Sequence, residues 1–183
     1  MLIKDKIQNT VGDAVLKRNY KRLSRKRFIH NLSSAQRVGV LFSPSGASEL
    51  KIVKGFLAFL TNLDIKVFPL AYLDSKKTDI NMVMEQHINF VDKKHFNWFH
   101  RPMTPEIKDF IKEEFDILIN LSMNNILPIN FIVSLSRAKL KVGKYFEEKE
   151  SFTDLMIDIK DSKDMSFLIE QTSHYLSVIN NTK

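Results

Sequence analysis

The chain has 183 residues, 44% of them hydrophobic, and no cysteine, which allows one core of the common ~100–200-residue domain size and excludes disulfides, thiolate metal sites and thiol nucleophiles. Its net charge of +7 is confined to one stretch: residues 14–48 hold eight Lys or Arg and no Asp or Glu, residues 1–13 balance, and residues 49–183 sum to −1. The start, Met1-Leu2-Ile3-Lys4-Asp5-Lys6, lacks the pattern of a secretory signal, and the longest apolar stretches, around Ile52 to Leu63 and Ile126 to Leu135, fall short of the ~20 residues that cross a bilayer; a cytoplasmic protein with no integral membrane association is expected.

Residues 1–36 read as a basic N-terminal helical arm. At about 100° per residue, Lys17, Arg18, Lys21, Arg22, Arg25 and Lys26 share one half of a helical cylinder and Leu16, Tyr20 and Leu23 the other. Ile3, Ile7, Val11 and Ala14 fall on the cationic side, so one straight helix is not expected to dock both apolar sets on one core. Either it breaks near Gly12-Asp13, where glycine costs about 1 kcal/mol relative to alanine, or Ile3, Ile7 and Val11 meet a protein partner.

Residues 37–183 read as a Rossmann-like α/β domain, an open, mostly parallel sheet flanked by helices, because short β-branched runs alternate with helical-period segments. The first strand, Arg37 to Phe42, is apolar almost throughout, as suits a central strand buried on both faces. The loop Ser43-Pro44-Ser45-Gly46-Ala47-Ser48 follows, with Ser48 placed to cap a helix in which Leu50, Val53, Leu57 and Leu60 recur. The second strand, Ile65 to Tyr72, contains Pro69, which cannot donate a ladder hydrogen bond and points to an edge, a bulge or an early strand end. Beyond it come a helix or irregular crossover at Asp79 to Gln86, a short strand at Ile88 to Val91, a helix at Pro105 to Glu114 and a strand at Asp116 to Leu121. A helix begun near Pro128, strands at Lys139 to Gly143 and Leu155 to Ile159, and a last helix at Met165 to Ile179 complete the chain.

Cations gathered on a helix gain affinity for RNA or DNA by releasing condensed counterions, and such contacts position a ligand without reading its sequence. The nucleic-acid-binding set is Lys17, Arg18, Lys21, Arg22, Arg25, Lys26 and Arg27, with Arg37 beside them. Tyr20, Phe28 and His30 are either stacking residues or core. A solvated helix face is the alternative, and an anionic membrane surface a third, although the broad Phe, Trp and Leu face of an inserting helix is missing.

Ligands of open α/β sheets bind beyond the carboxyl ends of the strands where strand order reverses. That marks Ser43, Ser45, Gly46 and Ser48, with Ser122 and Asn124 in the loop after the fourth strand, as phosphate or ligand binders helped by a helix dipole. The first loop lacks the glycines of the dinucleotide fingerprint and the lysine of the P-loop; a well-capped turn is the alternative. Asp74 with Lys76 and Lys77 is a further candidate contact to ribose or phosphate. The run His95-Phe96-Asn97-Trp98-Phe99-His100-Arg101-Pro102 holds the single tryptophan, a partner anchor or an edge packed onto the domain. The histidines at 30, 87, 95, 100 and 174 have no metal-site spacing, and no catalytic residue, metal or cofactor is expected.

The run Phe115-Asp116-Ile117-Leu118-Ile119-Asn120-Leu121, a helix, then Ser136-Arg137-Ala138-Lys139-Leu140-Lys141-Val142-Gly143, resembles the acceptor-side half of glycosyltransferases of the lipopolysaccharide heptosyltransferase type over residues 37–143. The whole chain also resembles an uncharacterised family of short bacterial proteins with a basic N-terminus. The first resemblance implies a nucleotide-sugar binder, but the catalytic Gly-Asp of that family is replaced by Ser43 to Ser48, with only Glu49 nearby, and no residues remain for the donor domain. Inherited fold without inherited catalysis follows: a non-catalytic protein binding RNA or a ribonucleoprotein such as the ribosome, the alternatives being a glycosyltransferase-like or nucleotide-sugar-binding protein and a partner-docking or membrane-peripheral one.

Overall fold

Six strands, β1 (Arg37–Phe42), β2 (Lys66–Leu73), β3 (Asn89–Asp92), β4 (Ile117–Asn120), β5 (Leu140–Lys144) and β6 (Leu155–Ile157), pair in parallel throughout in the order β3-β2-β1-β4-β5-β6. They come from a computed structural model that describes residues 3–74, 87–147, 152–160 and 164–180. The helices are α1 (Ile3–Arg22), α2 (Ala47–Asn62), α3 (Pro105–Lys112), α4 (Leu127–Leu135) and α5 (Met165–Val178). This is the Rossmann-like α/β architecture that the alternation of elements predicts, with β1 central. The expected crossover at Asp79 to Gln86, and Lys76 and Lys77, lie outside the described residues.

The period-2 pleat of the central strands divides the core in two. Val38, Val40 and Phe42 of β1 join Ile117 and Ile119 of β4 against α2 (Leu50, Val53, Phe56, Leu60) and α5 (Met165, Leu168, Leu176). Leu41 and Leu118 face the other way, onto α3 (Ile107, Phe110), α4 (Ile129, Phe131, Ile132) and Leu16 of α1. Gly39 belongs to that second side because a Cβ there would lie 2.8 Å from the Phe115 ring. The sheet is therefore covered on both faces, as an all-parallel sheet requires.

Pro69 sits inside an internal strand, contrary to the expectation of an edge or an early end. It pairs with Val40 of β1, while β3 joins β2 only from Leu70 onward, so the proline stands where β2 has a neighbour on one side only. Ser48 is not the cap of α2: the cap position is Gly46, with no side-chain cap bond. Glu49 reaches back instead, its Oε2 accepting from Ser45 N at 2.6 Å, so a carboxylate one turn into the helix takes the place of the expected hydroxyl.

The first helix runs unbroken from Ile3 to Arg22 and stops there. Gly12 does not interrupt it. Instead the missing side chain lets α1 lie close on its neighbours: a Cβ at Gly12 would be 2.7 Å from Leu127 Cδ2 at the start of α4 and 2.8 Å from the Phe99 carbonyl oxygen. Leu16, one turn on, is 1% exposed within the second core. Its far side carries Ile7 (55% exposed) and Ala14 with Lys17, Arg18 and Lys21, all exposed. A straight helix thus buries one apolar set and leaves Ile7 outside, while Val11 is half-buried.

Gly12→Val should lower stability by about 1–3 kcal/mol, since the Phe99 carbonyl cannot rotate aside as a side chain can. Thermal unfolding should show a Tm lower by several degrees at roughly 2–4 °C per kcal/mol. A Tm equal to or above that of the parent would mean that α1 does not dock at this point.

Candidate functional site

The chain leaves α1 after Arg22 and follows the amino-terminal edge of the sheet, so Arg25 and Lys26 are not part of a helical stripe, contrary to expectation. Tertiary bonds win here over helix propensity. Phe28 N donates to Lys139 O at 3.2 Å, and Arg25 Nη1 donates to Ala138 O at 2.9 Å and Lys139 O at 3.0 Å. Arg25 Nη2 donates to Asp154 Oδ1, with the arginine side chain 3% exposed. The other oxygen of Asp154 accepts from Lys141 N at 2.9 Å, which ties this carboxylate to β5.

A second carboxylate holds the next part of the segment. Asp116, buried at the foot of β4, accepts at Oδ2 from Gln36 N (2.9 Å) and Arg37 N (3.1 Å) and at Oδ1 from Lys139 Nζ (2.8 Å). Burial alone would raise its pKa, but these hydrogen bonds outweigh it and hold the carboxyl below its ordinary value. His30 Nε2, buried without a hydrogen bond among the described residues, is 3.6 Å from Oδ1; burial keeps this imidazole below its usual range despite the charge of Asp116. The Arg37 guanidinium is bound by Glu113 and lies 4.9 Å from the Phe68 ring centre.

Of the eight cations marked by the sequence, Arg25 and Arg37 are therefore bound by body carboxylates, and Arg27 Nε lies 3.7 Å from Asp154 with its side chain 67% exposed. Lys17, Arg18, Lys21, Arg22 and Lys26 are exposed. Among the described residues, Arg18, Lys21, Arg22 and Lys26 form no ion pair. Of the proposed stacking residues, Tyr20 packs edge-on against Phe152 at 5.1 Å and Phe28 against His30 at 4.9 Å, so both are committed to internal contacts.

The second candidate site lies at the opposite edge, where the chain order reverses between β1 and β4. Leu121 N bonds Leu41 O at 2.8 Å, bringing the two loops side by side. Ser43 and Gly46 are half-buried, and Ser45, Ser48 and Asn124 exposed. Ser122 is 1% exposed; its N donates to Asn120 Oδ1 at 3.1 Å, but its Oγ has no partner among the described residues. Two further residues bear on this crevice: Glu49, which occupies Ser45 N, and Lys144 at the end of β5, whose Nζ donates to Met123 O at 3.4 Å and lies 4.7 Å from the Phe146 ring centre. Alternation along Lys139-Leu140-Lys141-Val142-Gly143-Lys144 was the available signal for Lys144. No helix among the described residues is long and apolar enough to cross a membrane.

Lys141 is fully buried on β5, its ammonium donating to Ser134 O at 3.2 Å in the last turn of α4. Burial, reinforced by the Arg25 charge and opposed by Asp154, lowers its pKa from 10.5 to about 7. Between pH 7 and 10.5 the unfolded chain then holds a proton that the folded one lacks, so stability rises with pH. The imidazoles of His30 and His100, lowered from 6.5, act below this range, while Tyr72, raised to about 12 by burial, opposes only from about pH 10 upward. Urea denaturation should give greater stability at pH 9.5 than at pH 7, and Lys141→Met should flatten that rise; an undiminished rise in the variant would assign it to another group.

A family model described as a family of unknown function (DUF6913) matches residues 8–179. No curated protein and no solved structure matches the chain.

Proposed function

We propose, for a chain that belongs to the DUF6913 family of unknown function, a non-catalytic binding role in which the last turns of α1 and the residues just beyond them engage RNA or a ribonucleoprotein. The observation that carries this reading is that Arg18, Lys21, Arg22 and Lys26 are exposed and form no ion pair among the described residues, in a stretch where Arg25 and Arg37 are bound by carboxylates of the body. Cations that only held the fold would be expected to find such partners as well. Lys17 and Arg27, exposed on the same stretch, complete the surface. Placing cations in the last turn also suits the helix dipole, but Lys26 lies beyond the helix and gains nothing from it.

Fluorescence anisotropy with a single-stranded RNA should show affinity that falls with salt, with a slope of log K against log[salt] near −3 if four phosphates are neutralised at about 0.7 each. Reversing Arg18, Lys21, Arg22 and Lys26 to Glu should remove most of that salt-dependent binding at the cost of a small fall in Tm, since carboxylates at the end of α1 oppose the helix dipole while none of the four forms an ion pair among the described residues. An affinity and salt slope unchanged by the reversal, or binding to anionic vesicles without binding to RNA, overturns the reading.

One observation favours a second reading, a nucleotide-sugar type of ligand in the crevice between β1 and β4: the Ser122 hydroxyl is buried there without a partner among the described residues. Buried hydroxyls are ordinarily hydrogen-bonded, and a ligand oxygen would satisfy this one. A concentration-dependent rise in Tm with a nucleotide sugar, lost in Ser122→Ala, is expected; no rise with any member of a nucleotide-sugar panel removes this alternative.

A further inference from the structure

The aromatic run of residues 95–102 is built as a closed loop. Phe96 bridges Pro102 in antiparallel fashion, Asn97 N donates to Arg101 O at 3.0 Å, and His100 N donates to Asn97 O at 2.9 Å. Asn97 Oδ1 accepts from Phe99 N at 3.2 Å and Arg101 N at 2.9 Å. Inside, Phe99 packs against the second core. Outside, Trp98 stands 58% exposed and is held edge-on against Phe99 at 5.7 Å. A large aromatic side chain fixed in position and left in water, beside neighbours able to hold an anion, calls for a use.

Those neighbours line a cleft of about 380 Å³ where the loop meets α3 and the end of α4. Arg101, Lys108 and Lys112 contribute three cations to its wall, and Met103, Ile111 and Leu135 contribute aliphatic surface; among the described residues no carboxylate lines it. Arg101 and Lys108 form no ion pair among the described residues, and Lys112 has only Asp109 at 3.9 Å, with both groups well exposed, a pairing too weak to neutralise it. With its oxygen engaged by the loop, Asn97 has its amide nitrogen as the group able to donate toward a ligand in the cleft.

We propose that this cleft binds a nucleoside phosphate. Three cations without an internal acid suit an oxyanion carrying more than one charge, and the guanidinium fork of Arg101 matches phosphate oxygens. An aliphatic wall suits the flat, weakly polar face of a base, with Met103 able to adjust its shape. The volume falls in the range of small-molecule sites, roughly 300–1,000 Å³. The nucleoside phosphate is either free or one unit of a single strand, and the cleft does not depend on the role given to α1.

Trp98 is the only tryptophan, so intrinsic fluorescence reports on this loop alone. The whole chain is titrated with AMP, with UMP, with a single-stranded RNA eight-mer and with inorganic phosphate, and calorimetry accompanies each titration. Saturable binding of AMP or UMP marks a free nucleotide as the ligand, and saturable binding of the eight-mer alone, kept by the α1 charge-reversed protein, marks a strand. In either case, replacing Arg101 and Lys108 with Ala should weaken binding at least tenfold at unchanged Tm, while inorganic phosphate alone binds more weakly. The α1 charge-reversed protein and Ser122→Ala should keep the AMP or UMP response, which separates this cleft from both sites described above. No saturable fluorescence change and no heat with any nucleotide, or binding undiminished in the Arg101 and Lys108 variant, overturns the proposal.

Discussion

Asp116 lies at the point where the basic N-terminal segment becomes the first strand. A carboxylate buried to this degree is tolerable only if several donors replace its lost water, and three do so: the N–H groups of Gln36 and Arg37 and the Lys139 ammonium. These come from the start of β1 and the start of β5, on either side of the strand that Asp116 introduces. One side chain thereby fixes the entry points of three adjacent strands relative to one another, and with them the place where the preceding segment must run.

Asp154, just before β6 and two strands farther out, repeats the arrangement by joining Arg25 to the backbone of β5. The basic stretch thereby divides into two populations. Arg25, bound by Asp154, and Arg37, bound by Glu113, have become structural. Arg18, Lys21, Arg22 and Lys26 are exposed and form no ion pair among the described residues. The cost of burying Arg25 and Asp154 is met by hydrogen bonds to carbonyls and backbone N–H, and the nearby ammonium of Lys141 feels that arginine as a like charge.

Docking of α1 has a parallel effect on the other side of the second core. Because Gly12 has no side chain, the helix presses on both Leu127 and the carbonyl of Phe99, so it braces the loop that presents Trp98. The segment that carries the exposed cations and the loop that carries the exposed aromatic are thus in direct contact through one glycine. Neither is a free appendage of the sheet.

Local sequence pattern determined a good deal of this protein. The nearly continuous apolar run Val38 to Phe42 points to a strand buried on two faces, and the returns of Leu50, Val53 and Leu60 to a helix. The rotation of Ile7 and Ala14 onto the cationic side foretold that one straight helix would leave part of its apolar surface outside. What periodicity does not contain is the identity of distant partners. By pattern alone Arg25 is one more surface cation, because its acceptor is 129 residues away in sequence, and the two backbone groups held by Asp116 are 79 and 80 residues from it. Whether a given charge is spent inside the fold or left on its surface depends on contacts across that separation, and only the folded chain makes them.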